Sequence, residues 1–408
     1  MLFVGIDWSD DALDFELRTA DDTVLDQGQT KTSPQGLIEL FGQLDRHAPP
    51  SEIAVGIEST RAAWIQSLLD RGYAVYPLTP LAVDSFRKAR SAAGSKSDKI
   101  DRTVIAKYLL TFHRELRALK PDAAEIVGLR LACQDRLRLV EERTAKHNEL
   151  LSLLKVYCPF FLGFFGEIDS NIALEFLQEF PTQDQMRGLS ERKLRSWLRR
   201  HQYTHSQRTD TMVAQCNAAV LPVPSHEQTA RAMRIRFLAR SLAALNDAIA
   251  QADADLTRRL DELPESQWVR SLPGAGTVLA PAVLAVVGRD PQRFNSREEA
   301  AGLVGTAPVT IQSGKKKVVR FRRSCWKFAR RTFQMLAEQS RRKGCAWVVA
   351  LYDRLRAGGR HHHTALRAVA QKWLRIVLAM KRKGACYDER IFIHSQDLRK
   401  SQARLQPT

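Results

Sequence analysis

Four acidic residues in the first quarter of the chain stand where carboxylates could act together. Asp7 ends the apolar run LFVGIDW, and Glu58 ends a second apolar run, EIAVGIE. Asp98 and Asp101 are three residues apart at the expected start of a helix, which puts both on one face. Converging carboxylates repel one another, and Mg²⁺, which prefers oxygen ligands, relieves that repulsion. The four acids predict a two-metal site for phosphodiester chemistry, in which Mn²⁺ can replace Mg²⁺.

Each of these acids also has an ordinary structural interpretation. Taken alone, Asp7 fits a strand end, Asp98 a helix cap and Asp101 a first-turn acid. The combination of all four at this strand order is what favours metal binding. Lys96, just ahead of the helix, is a candidate phosphate contact.

Ser313 is a second candidate for chemistry, because it precedes a strongly basic segment. Nine of the seventeen residues from Lys315 to Arg331 are Lys or Arg, and none is acidic. A serine hydroxyl is a poor nucleophile until a base or metal activates it, so a Ser-Gly pair alone is more typical of a turn. Nucleic-acid phosphates are expected to be bound by Lys315, Lys316, Lys317, Arg320, Arg322, Arg323, Lys327, Arg330 and Arg331.

Two glycines in the segment Pro273-Gly274-Ala275-Gly276 allow a tight turn with free backbone amides at the start of an apolar helix. Such a turn resembles the phosphate cradle of helix-hairpin-helix DNA contacts, so Gly274 and Gly276 are candidate DNA-binding positions. A plain structural turn fits the same four residues. The basic surroundings favour DNA.

The charge of the chain is concentrated at one end. The net charge is +18 over 408 residues, yet residues 1–120 and 121–268 are close to neutral, and residues 269–408 hold 29 basic and 8 acidic residues. A basic surface confined to one region indicates a polyanionic partner, nucleic acid before membrane. Six scattered cysteines without a CxxC pair argue against a zinc ribbon or disulfide framework. No signal segment or long apolar run is evident, so we expect a cytoplasmic, nucleoid-associated protein.

The elements that must position the acids alternate between strand and helix. Over residues 1–120 the periodicity predicts three strands, a helix, a strand, a helix, a strand and a helix. This order is typical of an α/β domain of the ribonuclease-H or RuvC type. In such a sheet the first and fourth strands are parallel neighbours, so Asp7 and Glu58 reach the same edge.

The remainder of the chain is expected to be mainly helical. Residues 121–268 contain a long helix over 126–156 and an unbroken heptad seam over 235–256. Between them, residues 157–225 are expected to be irregular, apart from an Arg-rich stretch over 191–208 that is expected to be helical. The two long helices predict either an intramolecular hairpin or a coiled-coil dimer contact. Residues 269–385 form a basic, mostly α domain, and residues 386–408 a polar tail.

The ordered motifs resemble those of insertion-sequence transposases that pair a RuvC-like DEDD domain with a C-terminal serine transposase domain, the Piv-type, bridge-RNA-guided recombinases. The similarity lies in sequence segments at both ends of the chain. These are GID (5–7), GIEST (56–60), KSDKIDR (96–102), LPGAGTVLAPAVLA (272–285), RFNSREEAAGLVGTAPVTIQSGK (293–315) and HTALRAVAQKWLRIVL (363–378).

The resemblance implies a role for each matching residue. Asp7, Glu58, Asp98 and Asp101 would be the DEDD ligands of Mg²⁺, and Ser313 would form a transient phosphoserine link to DNA. A structured bridge RNA from the element would pair with donor and target DNA. Homodimers assembling into a tetramer, with composite sites built from different subunits, would hold the two duplexes.

Two other functions fit parts of the same pattern. A metal-dependent nuclease of the Holliday-junction type needs the four acids but not Ser313. A non-catalytic nucleic-acid-binding protein needs only the basic region. Retention of all four acids argues against the second.

Overall fold

The computed structural model describes two compact units, Met1–Pro121 and Asp122–Thr408. The first contains a mixed sheet with helices, and the second is mostly helical, as the sequence predicts. The described residues are 1–58, 64–90, 98–120, 122–203, 209–217, 223–294, 296–314 and 316–391.

The first unit is built on one five-stranded sheet with the order β3-β2-β1-β4-β5. Strand β1 pairs antiparallel with β2 and parallel with β4, and β4 pairs parallel with β5. The strands are β1 Leu2–Trp8, β2 Ala12–Arg18, β3 Val24–Lys31, β4 Ile53–Ile57 and β5 Ala74–Pro77. The helices are α1 Pro34–Leu44, α2 Trp64–Asp70, α3 Pro80–Arg90 and α4 Asp98–Phe112.

The predicted order of strands and helices in this unit is confirmed. Every residue of β4 is buried, which explains why its sequence is a continuous apolar run rather than an alternating one. Helix α4 lies directly on β1, because Gly5 lets the two backbones meet. A Cβ atom at Gly5 would stand 2.3 Å from the backbone nitrogen of Ala106.

The second unit contains two long helices that pack side by side. The helices are α5 Ala124–Tyr157, α6 Asn171–Glu179, α7 Gln183–Arg187, α8 Glu191–Arg200, α9 Thr209–Asn217, α10 Ser225–Asp261, α11 Ser266–Arg270, α12 Gly276–Val287, α13 Arg297–Leu303, α14 Lys327–Arg342, α15 Ala346–Ala357 and α16 His362–Lys383, with a short 3₁₀ turn at Pro159–Gly163. None of the helices described is long and apolar enough to cross a bilayer.

Helices α5 and α10 form an antiparallel intramolecular hairpin, one of the two arrangements that the heptad seam predicts. Arg136 Nε donates to Asp253 Oδ1 at 2.7 Å. Further along α5, Arg143 Nε donates to Asn246 Oδ1 at 2.8 Å. The partner numbers fall on α10 as they rise on α5, so the two helices run in opposite directions.

A helical head covers the far end of this hairpin, where the sequence suggested irregular structure over residues 157–225. That expectation is wrong where α6, α7 and α9 lie, whereas the helix expected in the Arg-rich stretch 191–208 is confirmed by α8. Phe161, Phe164 and Phe176 are buried against Trp197 and the α10 residue Leu242. Clustered aromatic residues obscure the 3.6-residue periodicity, because short helices around an aromatic core bury residues on several sides.

The near end of the hairpin shares one core with the C-terminal helices. Leu260 of α10 and Val269 of α11, on either side of the predicted boundary at residue 268, belong to the same buried cluster as Trp373 of α16. The predicted tail begins packed, since Trp347 Nε1 donates to Tyr387 Oη at 2.8 Å. Residues 392–408 lie outside the described chain.

A two-stranded antiparallel hairpin interrupts the helices of this region, where the sequence suggested mostly helix. It consists of β6 Val309–Ser313 and β7 Lys316–Arg320. Both strands are rich in β-branched residues, which favour extended backbone. Gly314 turns the chain with a φ of +54°, a value that suits glycine.

Candidate active site

Asp7 and Glu58 lie at the ends of two neighbouring parallel strands. The β1–β4 register pairs Gly5 with Gly56 and Ile6 with Ile57, so the next residues, Asp7 and Glu58, are side by side. Gly56 faces α4, because a Cβ there would touch Ile105 and Leu109. Side chains alternate along a strand, so Asp7 and Glu58 lie on the face that α4 covers.

Helix α4 brings Asp101 towards the same edge. Phe3 packs with Leu109 near the end of the helix, whereas Gly5 lies under Arg102 and Ala106. The helix therefore runs antiparallel to β1, and its first turn lies over the end of the strand that carries Asp7. Asp98 begins this helix, but its side chain and Lys96 lie outside the described residues.

Arg87 of helix α3 supplies a positive charge beside the acids. Its Nη1 lies 3.4 Å from Asp101 Oδ1, and its Nη2 forms an ion pair with Asp84. Asp84 also pairs with Lys88 at 2.7 Å. The Asp101 carboxylate is thus held against α3 by an arginine that shares its charge between two acids. A cation bound at the sheet edge would compete with Arg87 for Asp101.

A buried polar network under α4 was missed by the sequence reasoning. Asp14 stands directly opposite Asp7 in the β1–β2 register, and Arg102 Nη1 lies 3.5 Å from its carboxylate. Glu16 accepts a hydrogen bond from Arg18 Nε at 2.6 Å. The signal was present in the sequence, because Asp14, Glu16 and Arg18 alternate with apolar residues and so share one face.

The donor set of the sheet edge fits Mg²⁺ or Mn²⁺. Asp7, Glu58 and Asp101 supply only carboxylate oxygens, the ligands that hard divalent cations prefer. Among the described side chains, no three His, Cys, Asp or Glu are close enough to enclose a metal ion. The side chain of the fourth predicted ligand, Asp98, is not among those that the structure describes.

Ser313 lies at the tip of the β6–β7 hairpin. It is the last residue of β6 and pairs with Lys316 across the turn. Its side chain is exposed, as are most residues of both strands. Within the described residues, no histidine or carboxylate contacts its hydroxyl. The hairpin therefore presents Ser313 to solvent beside two lysines, without a base of its own.

The predicted phosphate-binding residues occupy three environments. Lys316, Lys317, Arg320, Arg323 and Lys327 are exposed on the hairpin and at the start of α14. Others serve internal contacts: Arg322 Nε donates to the Ala307 carbonyl at 3.2 Å, and Arg331 pairs with Glu141. Arg330 is half-buried, and Lys315 lies outside the described residues. The exposed members lie on the hairpin that carries Ser313 and in the segment that follows it.

The two glycines ahead of α12 have different surroundings. Gly274, with φ +79°, approaches the Gln339 backbone so closely that a Cβ would lie 2.8 Å from its carbonyl carbon. Gly276, with φ +53°, lines a pocket of about 340 Å³, and a Cβ there would meet nothing within 4 Å. Arg136 and Arg331 border the same pocket. Gly274 therefore has a packing role, and Gly276 is the exposed member of the pair.

Comparison with known proteins identifies both ends of the chain. Residues 4–159, which comprise almost all of the first unit and helix α5 of the second, match a transposase domain of the DEDD, IS110 type. Residues 266–353 match the family described as transposase IS116/IS110/IS902. The chain belongs to this IS110/IS116/IS902 family of insertion-sequence transposases, and membership implies DNA transposase or recombinase activity.

Two curated relatives extend over most of the chain. The candidate transposase of the IS117 mini-circle from Streptomyces coelicolor is 28% identical over 345 residues, which cover 78% of this chain and 79% of the relative. The 42 kDa protein of insertion element IS900 from Mycobacterium paratuberculosis is 27% identical, with 74% and 76% covered. Both relatives belong to mobile elements, as the motifs at both ends of the sequence indicated.

Proposed function

We propose that this transposase cuts and rejoins DNA through a phosphoserine intermediate on Ser313, supported by a Mg²⁺-dependent carboxylate site. The observation that carries the proposal is the placement of Asp7 and Glu58 on adjacent parallel strands under the first turn of α4. The strand order β3-β2-β1-β4-β5, in which only β2 runs antiparallel to the other four strands, supports a ribonuclease-H or RuvC-like assignment for the first unit.

The carboxylates would hold the cation. Asp7, Glu58, Asp98 and Asp101 would supply its oxygen ligands, and Arg87 would release Asp101 as the cation binds. When bound, Mg²⁺ polarises a phosphate oxygen and stabilises negative charge on the oxygens that enter and leave. Asp14, 3.5 Å from Arg102 Nη1, would remain paired with that arginine beneath α4.

Ser313 would carry the covalent step. Its Oγ forms a bond to phosphorus while the bond to a deoxyribose oxygen breaks. The hydroxyl proton passes to a base that the described hairpin does not supply, and the leaving oxygen takes up a proton. A deoxyribose hydroxyl from a second DNA end then attacks the phosphoserine, which releases Ser313. One phosphoester replaces another at each step, so no nucleotide cofactor is required.

Sequence choice is proposed to come from a bridge RNA that pairs with donor and target DNA. Support for this is the resemblance of the motifs, and DNA is the partner that the family supports directly. Homodimers that assemble into a tetramer would hold donor and target in the bacterial cytoplasm, at the nucleoid. Light scattering of the protein with RNA and both duplexes would show four chains per complex, and a monomer would exclude this assembly.

The decisive experiment is a covalent trap. Protein co-expressed with the RNA of its element end is mixed with labelled donor DNA and Mg²⁺, denatured, and examined for label that migrates with protein. We expect an adduct with wild type that disappears in Ser313→Ala and in Asp7→Asn. Ser324→Ala is the matched control, because Ser324 is a second exposed hydroxyl of the same basic segment. The same reaction without the RNA tests whether formation of the adduct requires a guide.

One outcome would favour a metal nuclease instead. The absence of a base beside Ser313 among the described residues is the observation that supports this alternative. Free cleaved strands without adduct, unchanged in Ser313→Ala but lost in Asp7→Asn, would assign all chemistry to the carboxylates. Salt-dependent binding without any cleavage would leave only a nucleic-acid-binding protein.

A further inference from the structure

Phe321, directly after β7, carries two arginines against its ring. Arg330 Cζ lies 4.8 Å from the ring centroid, and Arg367 Cζ lies 4.7 Å from it. Phe321 as a whole is 45% exposed. These residues come from three elements, the root of the hairpin, α14 and α16, so the grouping is a product of the tertiary fold.

Neither guanidinium is neutralised within the described residues. Arg330 donates to the Arg322 carbonyl at 3.2 Å, and Arg367 donates to Thr364 Oγ1 at 3.0 Å. No carboxylate pairs with either arginine in the parts of the chain described. Other arginines of the same unit do pair with a carboxylate; Arg341, for example, pairs with Glu338 at 2.9 Å.

The two arginines are held in place rather than free to swing into solvent. Gly305, with φ +70°, packs so closely that a Cβ there would lie 3.3 Å from Arg330 Cδ. Both guanidinium groups rest on one aromatic ring, an arrangement that favours a planar cation and reduces its hydration. Burial lowers the pKa of Arg367, and the nearby charge of Arg330 lowers it further. Two partly desolvated like charges without a counter-ion are unfavourable, and an anion between them would remove that cost.

We propose that Arg330 and Arg367, oriented by Phe321, form a clamp for one phosphate of the DNA backbone. A guanidinium binds phosphate through two parallel hydrogen bonds, so a fixed pair suits an oxyanion better than a flexible lysine does. DNA is favoured over RNA because the clamp lies at the root of the hairpin whose tip carries Ser313. This inference rests on the proposed action of Ser313 on DNA.

The hairpin sets the distance between the clamp and the serine. Strand β7 runs from Lys316, beside Ser313, to Arg320, beside Phe321. Four steps of an antiparallel strand span about 13 Å, which corresponds to roughly four base pairs along a duplex. The clamp would therefore grip the backbone a few nucleotides from the attacked phosphate and set which phosphate reaches Ser313.

The test measures binding of the full-length protein to a short mixed-sequence DNA duplex over a range of salt concentrations. We expect Arg367→Gln to weaken binding roughly tenfold and to lower the salt slope by about 0.9, the loss of one phosphate contact. Arg367→Lys keeps the positive charge but lacks the planar guanidinium. Compared with Arg367→Gln, it should bring the salt slope back close to the wild-type value while recovering less of the DNA affinity. Arg138→Gln is the control, because Arg138 is exposed and already paired with Asp135.

The outcomes separate this inference from the proposed function. If wild type binds no DNA, the proposed function fails. If wild type binds and Arg367→Gln behaves like Arg138→Gln, the clamp is wrong while the transposase proposal stands. The clamp would also be wrong if Arg367→Gln weakened binding to RNA of the same sequence but not binding to DNA. Thermal melting excludes misfolding, and Phe321→Leu, which keeps an apolar side chain, should weaken binding without changing the melting temperature.

Discussion

At the scale of single residues, Gly5 decides whether the acids of the sheet edge meet the helix that faces them. It lies two residues before Asp7 on the same face of β1, beneath the backbone of α4. No side chain fits between the two backbones. The glycine of the GID motif thus allows the close packing of α4, whereas the aspartate is the proposed metal ligand.

Substitution of Gly5 by Ala should displace α4 from the sheet. The new Cβ would meet backbone atoms of Arg102 and Ala106, which cannot rotate away. We expect a loss of about 1–3 kcal/mol in unfolding free energy and reduced DNA cleavage, measured by urea denaturation and a strand-cleavage assay. Gly42→Ala is the control, because its Cβ would meet nothing within 4 Å. If the two variants are equally stable, α4 does not depend on this close approach.

Glu338 of α14 is a residue whose protonation should affect folding. Hydrogen bonds from Arg341 and then Arg342 lower its pKa from 4.5 to about 2. The folded pKa lies below the unfolded one, so the stabilisation is complete above pH 4.5 and is lost as the pH falls from 4.5 towards 2. Glu338→Gln should cost about 1–2 kcal/mol at neutral pH, and the difference from wild type should shrink at about pH 3.

Unfolding in urea at several pH values measures this dependence. Glu262→Gln is a suitable comparison, since Glu262 pairs with Arg258 on an exposed part of α10. Exposed pairs contribute little, so its effect should be smaller at every pH. A Glu338→Gln penalty that does not change with pH would show that packing, rather than charge, holds this part of α14.

At the scale of elements, the α5–α10 hairpin joins two separate cores. Leu242 is fully buried in the helical head, and Leu256 is buried in the core that contains the C-terminal helices. Ile249, between them on the same seam, is only half-buried. A heptad pattern that is regular in sequence therefore has two different environments along its length.

The loss of stability when a seam residue is truncated to Ala should depend on how deeply that residue is buried, not on its position in the heptad. Leu242→Ala should cost about 2–4 kcal/mol, because it leaves a cavity in the aromatic core of the head. Ile249→Ala removes a similar side chain and should cost less than half as much. Chemical denaturation of both variants compares them directly. Equal losses would indicate that Ile249 is buried by a second chain in solution.

At the scale of the whole molecule, the four candidate metal ligands lie in the first unit, and the excess positive charge lies in the second. Residues 1–120 hold 15 basic and 17 acidic residues, so the carboxylate site lies in a nearly neutral unit. The region that carries Ser313 holds the excess positive charge and is proposed to attract DNA. Attraction of this kind depends on ionic strength, because binding releases the counter-ions condensed on the backbone.

Replacement of Lys315, Lys316 and Lys317 by Ser should lower the slope of log affinity against log salt by roughly 2 to 3. The affinity should fall for all sequences alike, because phosphate contacts carry no base information. Fluorescence anisotropy with two unrelated duplexes measures both effects. Replacement of Arg192, Lys193 and Arg199, which are exposed on α8, removes the same charge and serves as control. An equal change in the control would mean that net charge alone sets the slope.

Local pattern was sufficient for much of the fold. The apolar runs and glycine breaks of the first unit predicted its strands and helices in order, because each element has its own period. The long helices were evident for the same reason. The β6–β7 hairpin and the helices of the head other than α8 were not, since short helices around clustered aromatics and a small exposed hairpin leave little periodic signal.

For the candidate site, the sequence determined which residues are present and on which elements they stand. Strand ends carry Asp7 and Glu58, a helix start carries Asp101, and a basic segment follows Ser313. Only the tertiary structure placed Asp14 opposite Asp7, brought Arg87 to Asp101, and gathered Arg330 and Arg367 around Phe321. Those contacts join residues that are distant in the chain, and their geometry depends on how whole elements pack rather than on any local sequence preference.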